Sequence, residues 1–397
     1  MENLQALNLK NLDKSRWKTY RFDEIVKNIS ERVDPNNTNL EVYVGLEHID
    51  SESIHLKRTG TPDDVDGQKL RFYPGDIIFG RRRAYQRKAA IATTHGFCSA
   101  HALVLRANPE VIDPKLFPFF MHSNAFMHRA VDISVGSLSP TINWGTLKNE
   151  VFTIPPKIYQ QDFSELVINS DLVISSEESV LSNYKRFYKA YLNDIIEKKS
   201  ALEKYINIGF GELGTIYGGL TGKSKEDFGE GSPFVTYMNV FKNTRVSLEM
   251  LDYVKINQNE RQNQVRCGDI IFTGSSETPE EVGMTAVVLD EVEGIYLNSF
   301  CFGFRLNNFE LLLPEYARYL FQTENIRNFI IKHAQGSTRF NLSKSIINEK
   351  LNIVLPSIKT QEIIAADLSG KEEFIKALET KNVISKTLKN KLINNIF

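Results

Sequence analysis

An internal duplication is the feature that most constrains how this 397-residue chain can fold. Residues 136–197 and 336–397 look like two copies of one module, because the same residue types return after 200 positions. The matching pairs are Gly136 and Gly336, Ser137 and Ser337, Pro156 and Pro356, Gln161 and Gln361, and Leu192 and Leu392. Further upstream, the run 74–79 returns as 267–272, at a spacing of 193 residues. A duplicated chain presents two similar surfaces, and DNA is the commonest ligand that repeats at a fixed separation.

The length and composition are those of a folded protein with several domains. A chain of 397 residues suits about two to four domains, and 42% hydrophobic with 24% charged residues is ordinary for a globular protein. The net charge of -1 provides no global basic signature, so evidence for nucleic-acid binding must be local. Residues 69–88 contain a single acid, Asp76, among many basic residues. The basic residues are Lys69, Arg71, Arg81, Arg82, Arg83, Arg87 and Lys88.

The cysteines and histidines form no recognisable site. Cys98, Cys267 and Cys301 are far apart and form no CxxC motif, which is typical of reduced packing residues in a cytoplasmic protein. The seven histidines form neither an i, i+4 pair nor a His-Glu-x-x-His motif, so the sequence predicts no metal and no cofactor. The N-terminal segment lacks the apolar core of a signal peptide, and no apolar run approaches the roughly 20 residues of a membrane span.

Two long helices are predicted, one in each copy of the module. Residues 160–204 contain neither proline nor glycine, and apolar side chains recur there at spacings of three and four residues. These side chains are Leu181, Tyr184, Tyr188, Tyr191 and Ile195, a spacing typical of a helix–helix contact. The second long helix is predicted over 361–396. A helix of about 40 residues is roughly 60 Å long and needs a partner for its apolar stripe, so the two are expected to pair antiparallel.

Short strands and helices are predicted in the segments that precede the long helices, in the same order in both halves. The predicted fold class is therefore α+β, with two pseudo-symmetric α/β domains joined by two long antiparallel helices in a coiled coil. The predicted boundaries are 1–158 for the first domain, 159–204 for the central helix, 205–358 for the second domain and 359–397 for the C-terminal helix.

In their order along the chain, these motifs resemble the specificity (S) subunit of Type I restriction–modification systems over essentially the full length. The matching features are two Gly-Asp-Ile-Ile turns, at 75–78 and 268–271, and two Gly-Ser loops, at 136–137 and 336–337. Each Gly-Ser loop leads to an apolar strand, a proline, a glutamine and then a long helix. The segments 218–223 and 236–240 also resemble the opening of a target-recognition domain in that family.

The resemblance implies a subunit without an active site of its own that acts on DNA through partners. The domains 1–158 and 205–358 would be target-recognition domains, each reading one half of a bipartite double-stranded DNA site. The long helices would act as a spacer and would dock two methyltransferase subunits. Motor–nuclease subunits would join the full complex.

The main candidate for DNA contact in the first half is the basic run 81–88, which directly follows a predicted buried strand. Arginine pairs bidentately with guanine and glutamine with adenine, lysine contacts phosphate, and tyrosine adds a flat apolar surface. The residues expected to contact DNA are Arg81, Arg82, Arg83, Tyr85, Gln86, Arg87 and Lys88. The alternative is a solvated hairpin tip, which is the usual role of a basic run.

The second half contains three weaker candidates for DNA contact. The candidate residues are Thr221, Lys223 and Lys225 in a glycine-rich stretch, Ser275 and Ser276 in the loop equivalent to 81–88, and Arg339 in the second Gly-Ser loop. Hydroxyl groups, lysine and the backbone amides of a glycine loop all suit a phosphate. For the loops around Ser275 and Arg339, a plain structural turn is the competing interpretation.

Two other kinds of function compete with DNA recognition. An NTPase would need a GxxxxGK[ST] motif, but position 217 holds Tyr217 rather than glycine. A self-sufficient DNA methyltransferase would need an Asn/Asp-Pro-Pro-aromatic motif, which the chain lacks. The sequence therefore predicts no catalytic residues. The remaining alternative is a non-catalytic two-headed scaffold that does not read DNA, and the basic run at 69–88 argues against it.

Overall fold

Two compact units make up the computed structural model, which describes residues 9, 12–198 and 204–397. The first unit consists of Met1–Val180 together with Glu379–Phe397, and the second unit consists of Leu181–Leu378. Each unit therefore contains an α/β body and a segment from each of two long helices. Among the described residues, no helix is both long and apolar enough to cross a membrane.

Two four-stranded sheets form the body of the first unit. The first sheet contains, in spatial order, the antiparallel strands Val26–Ile29, Ala102–Ala107, Ile77–Gly80 and Ala89–Ile91. The second contains Arg32–Val33, Lys69–Phe72, Gly96–Cys98 and Tyr43–Val44, of which the last two are parallel. A separate ladder pairs Lys18–Arg21 with Val151–Ile154. The helices are Phe22–Ile25, Phe117–His122, Asn124–Asp132 and Trp144–Leu147, with 3-10 turns at Pro35–Asn37, Leu46–His48, Pro62–Asp64 and Ala84–Gln86.

The second unit repeats this arrangement with local differences. Its four-stranded sheet contains, in spatial order, Gly214–Gly218, Cys301–Leu306, Ile270–Thr273 and Thr285–Val287. Its three-stranded sheet contains Leu251–Val254, Phe228–Val235 and Tyr296–Leu297. Two short ladders pair Ile206–Gly209 with Asn352–Leu355, and Ser275–Ser276 with Phe340–Asn341. The helices are Tyr237–Lys242, Pro314–Leu320, Glu324–His333 and Lys344–Lys350, with 3-10 turns at Phe210–Leu213, Lys225–Asp227 and Leu248–Met250.

The repeated Gly-Asp-Ile-Ile run places a fully buried strand at the centre of each unit. In the first unit, Ile77 faces one apolar core and Ile78 faces another, because side chains alternate along a strand. Ile270 and Ile271 divide in the same way between two cores of the second unit. The turn before the first copy requires glycine, because Gly75 has a φ of 91°, in the left-handed region. In both units, the apolar run is therefore a strand that is buried on both faces.

Both predicted long helices are confirmed. They extend over Lys157–Glu197 and Ile358–Ile396, and each begins shortly after the proline that ends the preceding strand. Residues 199–203 of the predicted central helix lie outside the described part of the chain.

Contacts within each unit show that the two helices run antiparallel, as predicted. In the first unit, Lys389 Nζ lies 2.7 Å from Asp171 Oδ1, and Lys386 Nζ lies 2.7 Å from Glu178 Oε1. In both pairs, a later residue of one helix meets an earlier residue of the other.

The same pattern continues in the second unit. The hydroxyl of Tyr188 donates to Glu372 Oε1 at 3.0 Å, and the ring of Tyr184 lies 4.8 Å from the ring of Phe374. Tyr191 also packs against the apolar core of this unit. The tyrosine spacing therefore marks a helix–helix contact, as the sequence predicts.

A buried glutamine at the start of the first long helix corrects the predicted register of the duplication. The sequence pairs Gln161 with Gln361, but Gln161 is exposed and its neighbour Gln160 is buried. The Gln160 amide donates to the carbonyls of Val111 and Pro155, both at 2.8 Å. Its Oε1 accepts from the N–H of Asp113 at 2.7 Å. Gln160 thus ties the long helix to the α/β body.

Gln361 makes the same three hydrogen bonds in the second unit. Its amide donates to the carbonyls of Leu311 and Pro356, at 2.7 and 3.0 Å, and its Oε1 accepts from the N–H of Leu313 at 3.0 Å. The structural equivalent of Gln361 is therefore Gln160. The predicted pairing of the prolines and glutamines is wrong by one residue.

The register changes between the Gly-Ser loops and the strands that follow them. The isolated bridges Val135–Thr141 and Gln335–Asn341 keep the predicted offset of 200 residues. The helix that comes next is Trp144–Leu147 in the first copy and the longer Lys344–Lys350 in the second. The second copy therefore gains one residue in this helical segment.

Candidate nucleic-acid interface

The basic loop of the first unit is a well-anchored turn at the end of the central buried strand. Arg81 follows that strand directly, and Ala84 is buried beneath the loop. The exposed Arg83 and the half-buried Arg87 have φ values of 54° and 51°, a left-handed conformation that is unusual for residues other than glycine. Hydrogen bonds hold this conformation: the N–H of the half-buried Gln86 donates to the Arg83 carbonyl at 2.8 Å, and the N–H of Arg87 donates to the Ala84 carbonyl at 2.9 Å.

Two loops that are far apart in the sequence form one surface in the first unit. Arg82 forms an antiparallel bridge with Thr141 of the first Gly-Ser loop. The N–H of Ile142 donates to the carbonyl of Arg81 at 2.9 Å, and the N–H of Arg83 donates to the carbonyl of Pro140 at 2.7 Å. The structure thus joins the basic loop to the Gly-Ser loop. We call residues 81–86 and 136–141 the first loop pair.

Positive charge is concentrated on the first loop pair. Arg82 is exposed, and Tyr85 is 56% exposed. Partial burial lowers the pKa of the adjacent His101, and the positive charges of Arg82, Arg81 and Lys69 lower it further. Cations with side chains in solvent attract a polyanion such as the DNA backbone. The arrangement is therefore suited to DNA.

Arg87 and Lys88 bond to the body of the first unit. The Arg87 guanidinium donates to the carbonyl of His122 at 2.8 Å and to Asn124 Oδ1 at 3.1 Å. Lys88 Nζ donates to the carbonyl of Leu46 at 2.7 Å. Both side chains lie partly buried behind the loop and support it.

The second unit has the same loop pairing with different side chains. The strand Ser275–Ser276 pairs with Phe340–Asn341 in an antiparallel ladder, which matches the bridge between Arg82 and Thr141. We call residues 274–276 and 336–341 the second loop pair. The polar loop and the second Gly-Ser loop are therefore also one surface.

Three of the predicted DNA-contact residues of the second unit border one cavity. Ser275 and Ser276 are only 7% and 8% exposed, and Arg339 is exposed. The Ser276 hydroxyl donates to Glu281 Oε2 at 3.0 Å, and the Ser275 carbonyl accepts from the hydroxyl of Tyr237 at 2.9 Å. Together these residues line a cavity of about 410 Å³.

The glycine-rich stretch of the second unit is held by hydrogen bonds from a neighbouring loop. Lys223 Nζ lies 2.5 Å from a carboxylate oxygen of Glu260, and the Lys223 side chain is only 4% exposed. The backbone of Thr221 donates to Gln262 at 3.1 Å and accepts from it at 2.8 Å. Lys225 is exposed on a 3-10 turn. Lys223 therefore supports this loop, whereas Thr221 and Lys225 present their side chains to solvent.

Comparison with known proteins identifies the family. Residues 207–392 match the family model described as Type I restriction modification DNA specificity domain. This part of the chain belongs to the Type I DNA specificity family. The resemblance inferred from the sequence is thereby confirmed. The Type I restriction enzyme EcoDI specificity subunit of Escherichia coli is 27% identical to the chain over 198 residues, which cover 49% of this chain and 40% of that subunit.

Two solved structures are similar in fold to nearly the whole chain. One, from work on complex assembly and conformational transition of the type I R-M system, covers 96% of this chain and 97% of its own, with a TM-score of 0.63 and 17% identity. The Type-I restriction-modification system S subunit from M. genitalium covers 96% of both chains, with a TM-score of 0.52 and 14% identity. At these identities the likeness establishes the fold alone, and it confirms the predicted α+β class.

Sequence reasoning missed several residues beside the two loop pairs. They are Lys69 and His101 in the first unit, and Tyr237, Glu277, Glu281 and Phe300 in the second. Lys69 carried a local signal because it belongs to the basic run 69–88, and Glu277 directly follows the predicted Ser276. His101, Tyr237 and Phe300 reach the loop pairs only through folding, which no short motif records.

Two of the three cysteines are buried packing residues in the structure. Cys98 and Cys301 are buried as free thiols, and burial raises the pKa of each. Within residues 12–198 and 204–397, no group of histidine, cysteine, aspartate and glutamate side chains is arranged to bind a metal ion.

Proposed function

We propose that this protein is the DNA sequence-specificity subunit of a Type I restriction–modification complex, in which each unit reads one half of a bipartite double-stranded target. The match of residues 207–392 to a DNA specificity domain supports a role in DNA recognition. The repetition of the loop pair supports two separate reading surfaces. This repetition is the observation that carries the proposal.

In the first unit, we assign DNA reading to exposed and half-buried side chains of the first loop pair. The exposed side chains are Arg82, Arg83 and Tyr85, and the half-buried ones are Arg81 and Gln86. Guanidinium groups contact guanine edges or phosphates, the glutamine amide contacts a base edge, and the tyrosine ring packs beside them. Arg87 and Lys88 contribute indirectly, because their internal hydrogen bonds hold the loop in its reading conformation.

In the second unit, we assign phosphate contacts to exposed groups around the second loop pair and the glycine-rich stretch. These groups are Thr221, Lys225 and Arg339. Lys223 supports its loop through Glu260. Ser275 and Ser276 contribute to DNA binding as part of the wall of the cavity that they border.

We further propose that the long helices dock two methyltransferase subunits, and that motor–nuclease subunits join the full cytoplasmic complex. Exposed apolar side chains on the helices support a protein-binding role: Val173 and Leu388 are 54% and 60% exposed in the first unit, and Phe374 and Phe187 are 48% and 49% exposed in the second. In the corrected register, Val173 matches Phe374 and Phe187 matches Leu388. Two copies of one partner can therefore dock in the same way. The chain itself contributes no catalytic residue and binds no cofactor in this proposal.

A domain exchange tests the proposed function. Residues 1–158 are replaced by the corresponding domain of a specificity subunit with another target, and the chain is co-expressed with the methyltransferase of its own system. Single-molecule sequencing then maps the methylated sites. We expect one half of the methylated sequence to change while the other half is retained. A change in both halves, or in neither, contradicts modular reading, and an assembly without DNA affinity favours the scaffold alternative.

A further inference from the structure

The second unit has open space where the first unit has arginine side chains. Ser275 and Ser276 occupy the positions that Arg82 and Arg83 hold in the first loop pair. Their short side chains border the cavity of about 410 Å³, whose other residues include part of the helix Tyr237–Lys242. Ligand-binding clefts have volumes of this order, so the cavity is large enough for a planar group such as a nucleobase.

One part of the cavity wall is flat and apolar. The rings of Tyr237 and Phe241 are stacked, with centroids 5.8 Å apart and an interplanar angle of 18°. The hydrogen bond from the Tyr237 hydroxyl to the Ser275 carbonyl fixes this ring in position. Met238, which is 43% exposed, extends the wall toward solvent. Aromatic faces of this kind stack on nucleobases.

Another part of the wall carries hydrogen-bond acceptors. The Ser276 hydroxyl donates to Glu281 Oε2 at 3.0 Å and so orients the Glu281 carboxylate. Glu277 is exposed and lines the same cavity. An ionised carboxylate accepts hydrogen bonds and donates none. The cavity therefore favours a ligand group that is a donor.

The charges around the cavity favour a base inside it and a phosphate outside it. Arg339 is exposed and lines the cavity, and its guanidinium carbon lies 5.0 Å from the centroid of the Phe300 ring. A guanidinium in solvent suits a backbone phosphate. The carboxylates of Glu277 and Glu281 repel a phosphate from the cavity itself. The arrangement thus accepts the base of a nucleotide and leaves its phosphate outside.

We propose that this cavity reads a base that presents an exocyclic amino group in the major groove, which is adenine through N6 or cytosine through N4. The amino group donates to the carboxylate of Glu281, with Glu277 as a second acceptor, and Tyr237 contacts the ring. Guanine and thymine present a carbonyl oxygen in the major groove, which the carboxylates reject. This inference rests on the proposed function, because it assumes that the second unit reads DNA.

Base analogues test the inference on the unmodified protein. Once the methylated sequence is mapped, duplexes are made in which each adenine of the second half-site is replaced by purine, or each cytosine by 2-pyrimidinone, so that only the amino group is lost. Competition binding to the methyltransferase assembly is then measured. We expect one position to lose affinity by about tenfold to a hundredfold. The analogue that causes the loss distinguishes adenine from cytosine, and the absence of any sensitive position overturns the inference.

Two variants connect that loss to the cavity. Glu281→Ala removes the main acceptor and leaves only Glu277, so the variant should lose most of its preference for the amino-bearing base over its analogue. Glu281→Gln keeps an acceptor for the Ser276 hydroxyl and adds a donor, so it should tolerate guanine or thymine at that position. Glu280→Ala is the matched control, because Glu280 is an exposed neighbour outside the cavity wall and should keep full sensitivity. A Glu281 variant that keeps full sensitivity overturns the inference.

The two proposals fail in different ways. If residues 205–358 can be exchanged without changing either half of the methylated sequence, the proposed function is wrong and the analogue experiment has no half-site to probe. If the exchange changes one half but the amino group and Glu281 have no effect, the proposed function stands and the base-reading role of the cavity is wrong.

Discussion

At equivalent positions of their loop pairs, the first unit carries Arg82 and Arg83 and the second carries Ser275 and Ser276. The first surface is basic and exposed, whereas the second is a cavity with serine and carboxylate groups in its wall. Cationic groups suit guanine edges and phosphates, and acceptors suit amino groups. In the proposed function, two half-sites of different chemistry are therefore read from one repeated scaffold.

The α/β bodies that carry the loop pairs contain the same arginine–aspartate pair in both units. The Arg106 guanidinium bonds both carboxylate oxygens of the buried Asp76, at 2.7 and 2.9 Å. Arg305 bonds both oxygens of the buried Asp269, at 2.9 and 2.6 Å. Such bidentate pairs fix geometry as well as adding energy. The supporting structure is therefore duplicated with its chemistry intact, while the equivalent loop residues have different charge.

In each unit, one carboxylate on the paired long helices has the same role but bonds to different partners. In the first unit, Asp171 lies 2.5 Å from His55 Nε2 and 2.7 Å from Lys389 Nζ. The matching Glu372 of the second unit accepts from Tyr188 and from Arg318. Both carboxylates tie a helix to the other helix and to the α/β body. The first unit uses a histidine for this contact, and the second uses an arginine.

The largest effect is expected where the two units are most alike. Gln160→Ala and Gln361→Ala each leave one N–H and two carbonyls without the glutamine partner. We expect each to lower the free energy of unfolding by about 3 kcal/mol. Chemical denaturation of the full chain measures the loss.

The neighbouring glutamine provides the control for this prediction. Gln161 is exposed, so Gln161→Ala should change the free energy of unfolding by no more than about 0.5 kcal/mol. A large loss for Gln161→Ala together with a small one for Gln160→Ala would restore the register in which Gln161 matches Gln361.

The second-largest effect should distinguish the first loop pair from the second. Replacing Arg81, Arg82 and Arg83 by alanine should weaken DNA binding by the methyltransferase assembly by about tenfold to a hundredfold, and should reduce the slope of log affinity against log salt by about 2 to 3. Replacing Ser275 and Ser276 by alanine should leave that slope unchanged. Binding measured across a series of salt concentrations tests both.

A charge-matched variant controls for the loss of three cations. Lys18, Lys27 and Lys115 are exposed in the same unit but lie outside the first loop pair. Their triple alanine variant should retain the salt slope. If it loses as much slope as the arginine variant, the effect comes from net charge and not from the loop pair.

A smaller and equal effect is expected at one helix start in each unit. Asn394 Oδ1 accepts from the first N–H of the helix Asn124–Asp132, and Asn193 Oδ1 accepts from the first N–H of Glu324–His333, both at 2.7 Å. Asn394→Ala and Asn193→Ala should each cost about 1 kcal/mol of unfolding free energy. A cost at only one of the two sites would contradict their equivalence.

The smallest effect concerns acid stability of the first unit. Burial acts to raise the pKa of Asp171, but hydrogen bonds from His55 and Lys389 outweigh it and hold that pKa below its usual value. A carboxyl whose pKa is depressed on folding stabilises above its unfolded pKa, and this stability is lost as pH falls through the folded pKa. Between about pH 7 and pH 3, the unfolding temperature should therefore fall less for Asp171→Asn than for the unchanged protein. An unchanged acid dependence would contradict this role for Asp171.

The long helices and the central strands are predictable from the sequence. A segment without proline and glycine that has apolar residues at helical spacing has few alternatives to a helix. The one-residue register change is not predictable in this way, because Gln160 and Gln161 are identical neighbours and only burial distinguishes them. Local pattern therefore identifies elements better than their alignment.

The candidate site is likewise only partly predictable from local sequence pattern. Lys223 has the sequence context of a phosphate-binding lysine, but Glu260 from a later loop pairs with it. Likewise, Arg82 meets Thr141 only after folding, so the sequence predicts two separate loops. Long-range partners decide which polar side chains remain available for DNA, and no local motif records them.

The division of the chain between its units has a consequence for synthesis on the ribosome. The indole N–H of Trp17 donates to the carbonyl of Ile396 at 3.0 Å, and the ring of Phe397 lies 5.1 Å from that of Phe120. The apolar surface of the N-terminal body is thus covered only after the helix Ile358–Ile396 has been translated. A premature stop near residue 379 would therefore damage the half of the protein that was made first.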